Sequence, residues 1–168
     1  MRAVKEFAKN FVIGMVIVLS IMTVLAFSAS RIGFDARSDL DLTTPVKPSA
    51  LSLFLGPYYL PEKDVIYMPP TWFLTKLADD YDGVAIKVVL EDHGLPTDNN
   101  TVILFWYYHE DGHAIDFRAS GLSPEEWAGP DARTTVLKAA SSLEEAAFIY
   151  RQLPREVIAD KYAISKLQ

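Results

Sequence analysis

Twenty consecutive residues without a charge, Phe11–Ser30 (FVIGMVIVLSIMTVLAFSAS), restrict this chain more than any other feature. As a helix rising about 1.5 Å per residue they would extend ~30 Å, the hydrocarbon thickness of a bilayer. A buried helix of a soluble domain normally keeps one polar face, and here only Gly14, Ser20 and Thr23 interrupt the apolar surface. Residues 11–30 therefore read as a single transmembrane helix. Arg2, Lys5 and Lys9 crowd the leader, residues 1–10, against Glu6 alone, which favours a cytoplasmic N-terminus and an extracytoplasmic (periplasmic) remainder. Ala26-Phe27-Ser28 also has the small residues of a signal-peptidase site, so the alternative is a cleaved signal and a secreted domain. The apolar run exceeds the usual signal core of about 7–15 residues, which favours a retained signal anchor in the inner (plasma) membrane.

Charge sharpens this. Of 16 basic and 22 acidic residues, 3 and 1 lie in the first thirty; the remainder carries 13 and 21, a net of −8. So acidic a domain repels phosphate backbones, and no nucleic-acid partner is expected. The absence of cysteine excludes a disulfide framework and a thiolate zinc site.

Residues 31–49, polar and closed by Pro45 and Pro48, suit a tether, leaving 50–168 as the extracytoplasmic domain. Its periodicities predict an α+β fold. Ala50–Leu55 and Asp64–Met68 read as short strands, and Pro69-Pro70 as the start of a helix carrying Trp72, Phe73 and Leu77. Val84, Ile86, Val88 and Leu90 alternate with Ala85, Lys87, Val89 and Glu91 as in a strand. The run 101–109 (TVILFWYYH) is apolar on both faces, as an interior strand would be, and 113–118 (HAIDFR) alternates again. Together they predict an antiparallel meander over about 84–118. Ser123–Glu126 and Ser142–Glu145 have capping-box spacing, residues 133–139 lean to strand, and Pro154 opens a last helix whose apolar face is Val157, Ile158 and Tyr162. The helices are expected on one face of the sheet.

One motif carries chemistry. His109, Glu110 and His113 fit HExxH, in which two histidines four apart on a helix share a metal and the glutamate addresses its water. The strand-like run before it and the Asp111-Gly112 pair, a strong hairpin signal, place the motif in a turn instead. A two-residue turn sets the histidines on opposite faces; a three-residue loop, Glu110 to Gly112, would set them side by side as a metal half-site, but no third ligand is obvious. On this reading no metal and no cofactor is expected, and His93 is a solvated loop histidine. The Asp79–Gly83 cluster fails as a calcium loop, since Ala78 and Val89 would fall where carboxylates are needed. No GxSxG elbow or glycine-rich phosphate loop occurs.

The segment Gly56–Thr71 concentrates proline and tyrosine, and Tyr58, Tyr59, Tyr67 and Trp72 are candidates for a protein interface. The function expected from these features is that of a single-pass membrane protein contacting other proteins, an accessory or assembly subunit of an envelope complex. The alternatives are an exported hydrolase and an extracytoplasmic ligand-binding or sensory domain.

Overall fold

The computed structural model describes residues 33–129 and 138–168, with Ser28 and Val136 besides. The apolar segment 11–30, apart from Ser28, lies outside the described residues. No helix among those described is long and apolar enough to cross a membrane.

The described chain is α+β, with three short strands and seven helices. Strand β1 is Val46–Pro48, α1 is Ser52–Leu55, β2 is Tyr58–Leu60 and β3 is Val65–Met68. Helices follow: α2 (Thr71–Leu77), α3 (Tyr81–Asp92), α4 (Asn99–Ser120), α5 (Pro124–Ala128), α6 (Leu143–Arg151) and α7 (Pro154–Leu167). The sheet order is β1-β3-β2. It is mixed: Val46 aligns with Ile66 in a parallel pair, and Tyr59 aligns with Ile66 in an antiparallel one.

The expected meander over 84–118 is not there; that stretch forms α3, a loop and the single long helix α4. The reason is burial on every side. From Phe105 to Ala114 each residue of α4 is buried, because α7, α3, α2 and the sheet all lie against it. A helix enclosed all round needs no polar stripe, so its sequence looks like that of an interior strand. Its ends are nonetheless marked. The Asp98 carboxylate accepts from the amides of Asn100 and Thr101, and Gly121 closes the helix in the left-handed conformation at φ 67°.

Helix α3 misled for a different reason. Ile86 and Leu90 are buried while Val84 and Val88 are each 40% exposed, both pairs at four-residue spacing. Apolar residues on two helical faces imitate alternation. Ala50–Leu55 likewise contains a helical turn, α1, rather than a strand, and within 133–139 Val136, Lys138 and Ala139 are helical. Residues 33–49, expected as a tether, lie on the domain. They supply β1, the Tyr107 hydroxyl donates to the Asp35 carbonyl at 2.5 Å, and Lys166 pairs with Asp41 at 3.0 Å. Other expectations agree with the structure: β3 within 64–68, α2 after Pro70, the Ser123 capping box and Pro154 at the start of α7.

Candidate metal centre

Helices α4 and α7 form the most extensive pairing in the described fold. Their approach is close because both present small residues. A Cβ on Gly112 would lie 2.9 Å from the Cα of Ala159 and 3.2 Å from the Tyr162 Cβ. Along α7 the buried positions Glu156, Ala159, Asp160 and Ala163 follow helical spacing and make one stripe facing α4. That stripe is not the one expected. Val157 and Tyr162 are only partly buried and Ile158 is 46% exposed, while two carboxylates occupy the inner face.

The carboxylates meet the histidines of HExxH. On a helix rather than in a turn, His109 and His113 share a face, their rings 4.6 Å apart. The Nε2 of His109 lies 3.1 Å from Glu156 Oε2, and the Nε2 of His113 lies 3.5 Å from Oε1. One donor atom from each of the three residues falls within 4.8 Å of the others. Donors about 2.0–2.1 Å from a tetrahedral zinc ion stand roughly 3.3 Å from one another, so the set could close on one ion with shifts of about an ångström. Glu156 is a candidate third donor that no local spacing around HExxH discloses.

One of the two histidines has the outer hydrogen bond that metal-binding histidines usually make. The Asp160 carboxylate takes the Nδ1–H of His109 at 2.7 Å, so Nε2, which donates to Glu156 in the metal-free protein, is the nitrogen a metal would take once its proton is displaced. His113 is braced differently. Trp127 of α5 sits edge-on to it with centroids 5.9 Å apart, and its Nδ1 has no hydrogen-bond partner among the described residues. All three donor residues are less than a tenth exposed.

Glu110 is also buried. Burial raises its pKa above the ordinary carboxyl value and the nearby Glu156 adds to this, against the pull of both histidines and Arg151. Glu156 goes the other way. Its burial opposes ionisation, but hydrogen bonds from His109 and His113 prevail and hold it far below the usual range. Two carboxylates that feel the charge of the same histidines are thus shifted in opposite directions, Glu110 up and Glu156 down. Burial, followed by the charges of Glu156 and Glu110, raises the pKa of Tyr150, so the hydroxyl keeps its proton.

The remaining sequence candidates lie elsewhere. His93 is exposed, with Nδ1 2.8 Å from the Val89 carbonyl. Asp80 caps α3, and Asp79 pairs with Lys87 at 3.3 Å. Tyr59 is buried between Phe117 and Trp127, with its hydroxyl donating to Asp64. Tyr58 and Tyr67 stack on one another at 5.2 Å, while Trp72 is 51% exposed against Phe73. Asp111, inside the motif, serves the fold: fully buried, it accepts from the Thr43 amide and hydroxyl and from the Tyr162 hydroxyl.

Sequence reasoning missed Glu156, Asp160 and Arg151. A signal for the first two exists: carboxylates four apart, interleaved with alanines, in a helix opened by Pro154. No family model, curated relative or solved structure matches this chain.

Proposed function

We propose that the domain is a metal-dependent hydrolase, with zinc held by His109, His113 and Glu156 and with Glu110 as general base. The observation that carries this is Glu156, one carboxylate reaching both Nε2 atoms of an HExxH helix. Two histidines and a glutamate are a donor set of catalytic zinc sites, which keep a fourth position open. An ion bound there would act as a Lewis acid, polarising a substrate carbonyl and lowering the pKa of water. Glu110, beside His109 on α4 and raised by burial above the ordinary carboxyl value, would take the proton from the attacking water and return it to the leaving group. Tyr150, still protonated, would donate to Glu156 or to developing negative charge on a carbonyl oxygen. The substrate class this chemistry suits is a peptide or similar acyl compound.

The accessory-subunit expectation rested on the single anchor, the aromatic segment after a tether and the lack of a catalytic signature; co-facial histidines with a third donor speak against the last of these. The location remains that of the exported-hydrolase alternative. Joined to the apolar segment 11–30, such a site would act outside the cytoplasm.

The test is metal content and turnover of the full chain, purified in detergent and supplied with zinc. One equivalent is expected in the wild type and in Glu110→Gln, and none in His113→Ala. Hydrolysis of labelled casein should fall about 10²–10⁴-fold in Glu110→Gln, the usual contribution of a general base. Less than a tenth of an equivalent bound by the wild type, or undiminished hydrolysis by Glu110→Gln, sinks the reading.

A further inference from the structure

We propose that Arg151 is a positioning residue of the metal centre: its guanidinium, anchored on Asp82, fixes the Asp160 carboxylate in the orientation that receives the Nδ1–H of His109. This rests on the reading of His109 as a metal ligand and goes beyond it, to what holds the ligand still.

Arg151 ends α6, just before the two-residue link into α7, and is 7% exposed. Its Nη1 donates to Asp160 Oδ1 at 2.9 Å, the same oxygen that lies 2.7 Å from His109 Nδ1. Its Nη2 donates to both oxygens of Asp82 at 3.1 and 3.3 Å. Asp82, in the first turn of α3, also accepts from the indole of Trp106 at 3.3 Å. The contacts therefore run from α4 (Trp106) through α3 (Asp82), α6 (Arg151) and α7 (Asp160) back to α4 at His109. Phe105 completes the enclosure, stacked on the His109 ring and lying under the guanidinium at 5.6 Å.

Chemistry makes this arrangement directional. A carboxylate turns easily about its own bond, and a single imidazole contact does not stop it. The guanidinium is planar with its donors in a rigid fork, so gripping Asp82 with one nitrogen sets the direction of the other. Asp160 Oδ1 already takes a hydrogen bond from Nη1 and, as a carboxylate oxygen, only accepts, so the proton between it and Nδ1 comes from the imidazole. Nδ1 is thereby protonated and Nε2 is kept as the ligand atom. A buried cation this close to a metal would weaken binding by charge alone. The two carboxylates that neutralise it are what make the position tolerable.

The outer side of Arg151 borders a cavity of about 220 Å³ lined by Val89, His93, Asp160 and Lys161 among others. That opening gives the proposal a direct test by chemical rescue. In the full-length chain, Arg151→Ala should bind zinc 10–100-fold more weakly, the usual cost of losing an outer-shell partner. Tens of millimolar guanidinium chloride should restore part of the loss where sodium chloride does not. Arg151→Lys, with the charge but not the fork, should fall between. Asp82→Asn leaves Arg151 in place without its anchor and should weaken zinc in the same direction; it decides the matter if Arg151→Ala does not fold. Affinity within twofold of wild type in the folded variants, or recovery no greater with guanidinium than with sodium chloride, overturns the proposal while wild-type zinc binding leaves the metal centre standing. A wild type that binds no zinc overturns both.

Discussion

At His109 a proton and a metal ion would compete for the same nitrogen. Burial and the adjacent Arg151 disfavour the charged imidazole, but hydrogen bonds to Asp160 and Glu156 outweigh them and lift its pKa from 6.5 to about 9. A histidine raised on folding stabilises the protein fully below its unfolded pKa of about 6.5, and that contribution fades as pH rises through about 9. Glu156, held below its ordinary 4.5, contributes above that value and loses its contribution only in strong acid. Chelator-treated protein should therefore melt at progressively lower temperature as pH rises from 6.5 to about 9, with zinc opposing the fall. Metal binding has to expel the proton, so zinc affinity should strengthen by roughly tenfold per pH unit and level off near pH 9. Competition against a chromophoric chelator across that range measures it. A plateau already reached at pH 6.5 would mean an unperturbed histidine and no such competition.

Helix α4 carries a glycine where a helix interior disfavours one, and α7 explains it. Replacing Gly112 by alanine gains about 1 kcal/mol of helix propensity. It also drives a methyl to 2.9 Å from the backbone of Ala159. Overpacking of that kind costs about 1–3 kcal/mol, and a neighbouring backbone cannot rotate aside as a side chain can. Gly112→Ala should therefore lower the melting temperature by a few degrees. It should weaken zinc more than this stability loss suggests, because moving α7 draws Glu156 away from both histidines. A variant that melts higher and binds zinc as tightly as wild type would remove the crossing from the account. The same helix pair shows what the sequence does and does not disclose. Caps and breakers at Ser123 and Pro154 are local chemistry and can be read along the chain. The state of 101–109 depends on what surrounds it, and a segment enclosed on all sides loses the periodicity that separates helix from strand. Glycine at 112 looked like a turn because its reason lies 47 residues away at Ala159. His109, Glu110 and His113 were legible as a motif. Glu156 and Asp160 were hidden by the habit of assigning apolar residues to the inner face, where this helix places its carboxylates.

Across the whole molecule, the stretch before β1 belongs to the site rather than to a linker. Thr43 gives Asp111 two of its hydrogen bonds, from the amide at 3.1 Å and the hydroxyl at 2.7 Å, leaving Tyr162 for the third. Arg118 holds the same stretch through the Thr43 and Thr44 hydroxyls at 2.6 and 2.9 Å. Asp111 lies between Glu110 and His113 on α4, and its Tyr162 partner is on α7, so the segment braces the helix pair that carries every proposed metal donor. Hydrogen bonds to a buried charge contribute about 1.5–3 kcal/mol each, and losing two of three leaves a carboxylate undersatisfied in the core. The loss of β1 would also unpair the β3 edge at Ile66 and Met68, both fully buried. Two truncations separate this view from that of a dispensable tether. Removal of residues 2–32 should leave melting and zinc binding as in the full chain, because the contacts of Thr43, Thr44 and β1 all lie beyond Gly33. Removal of residues 2–49 should lower the melting temperature by ten degrees or more, given about 4–8 °C per kcal/mol for a small domain, and weaken zinc in parallel. Equal melting and equal zinc affinity in the two truncations would return residues 33–49 to the role of a tether.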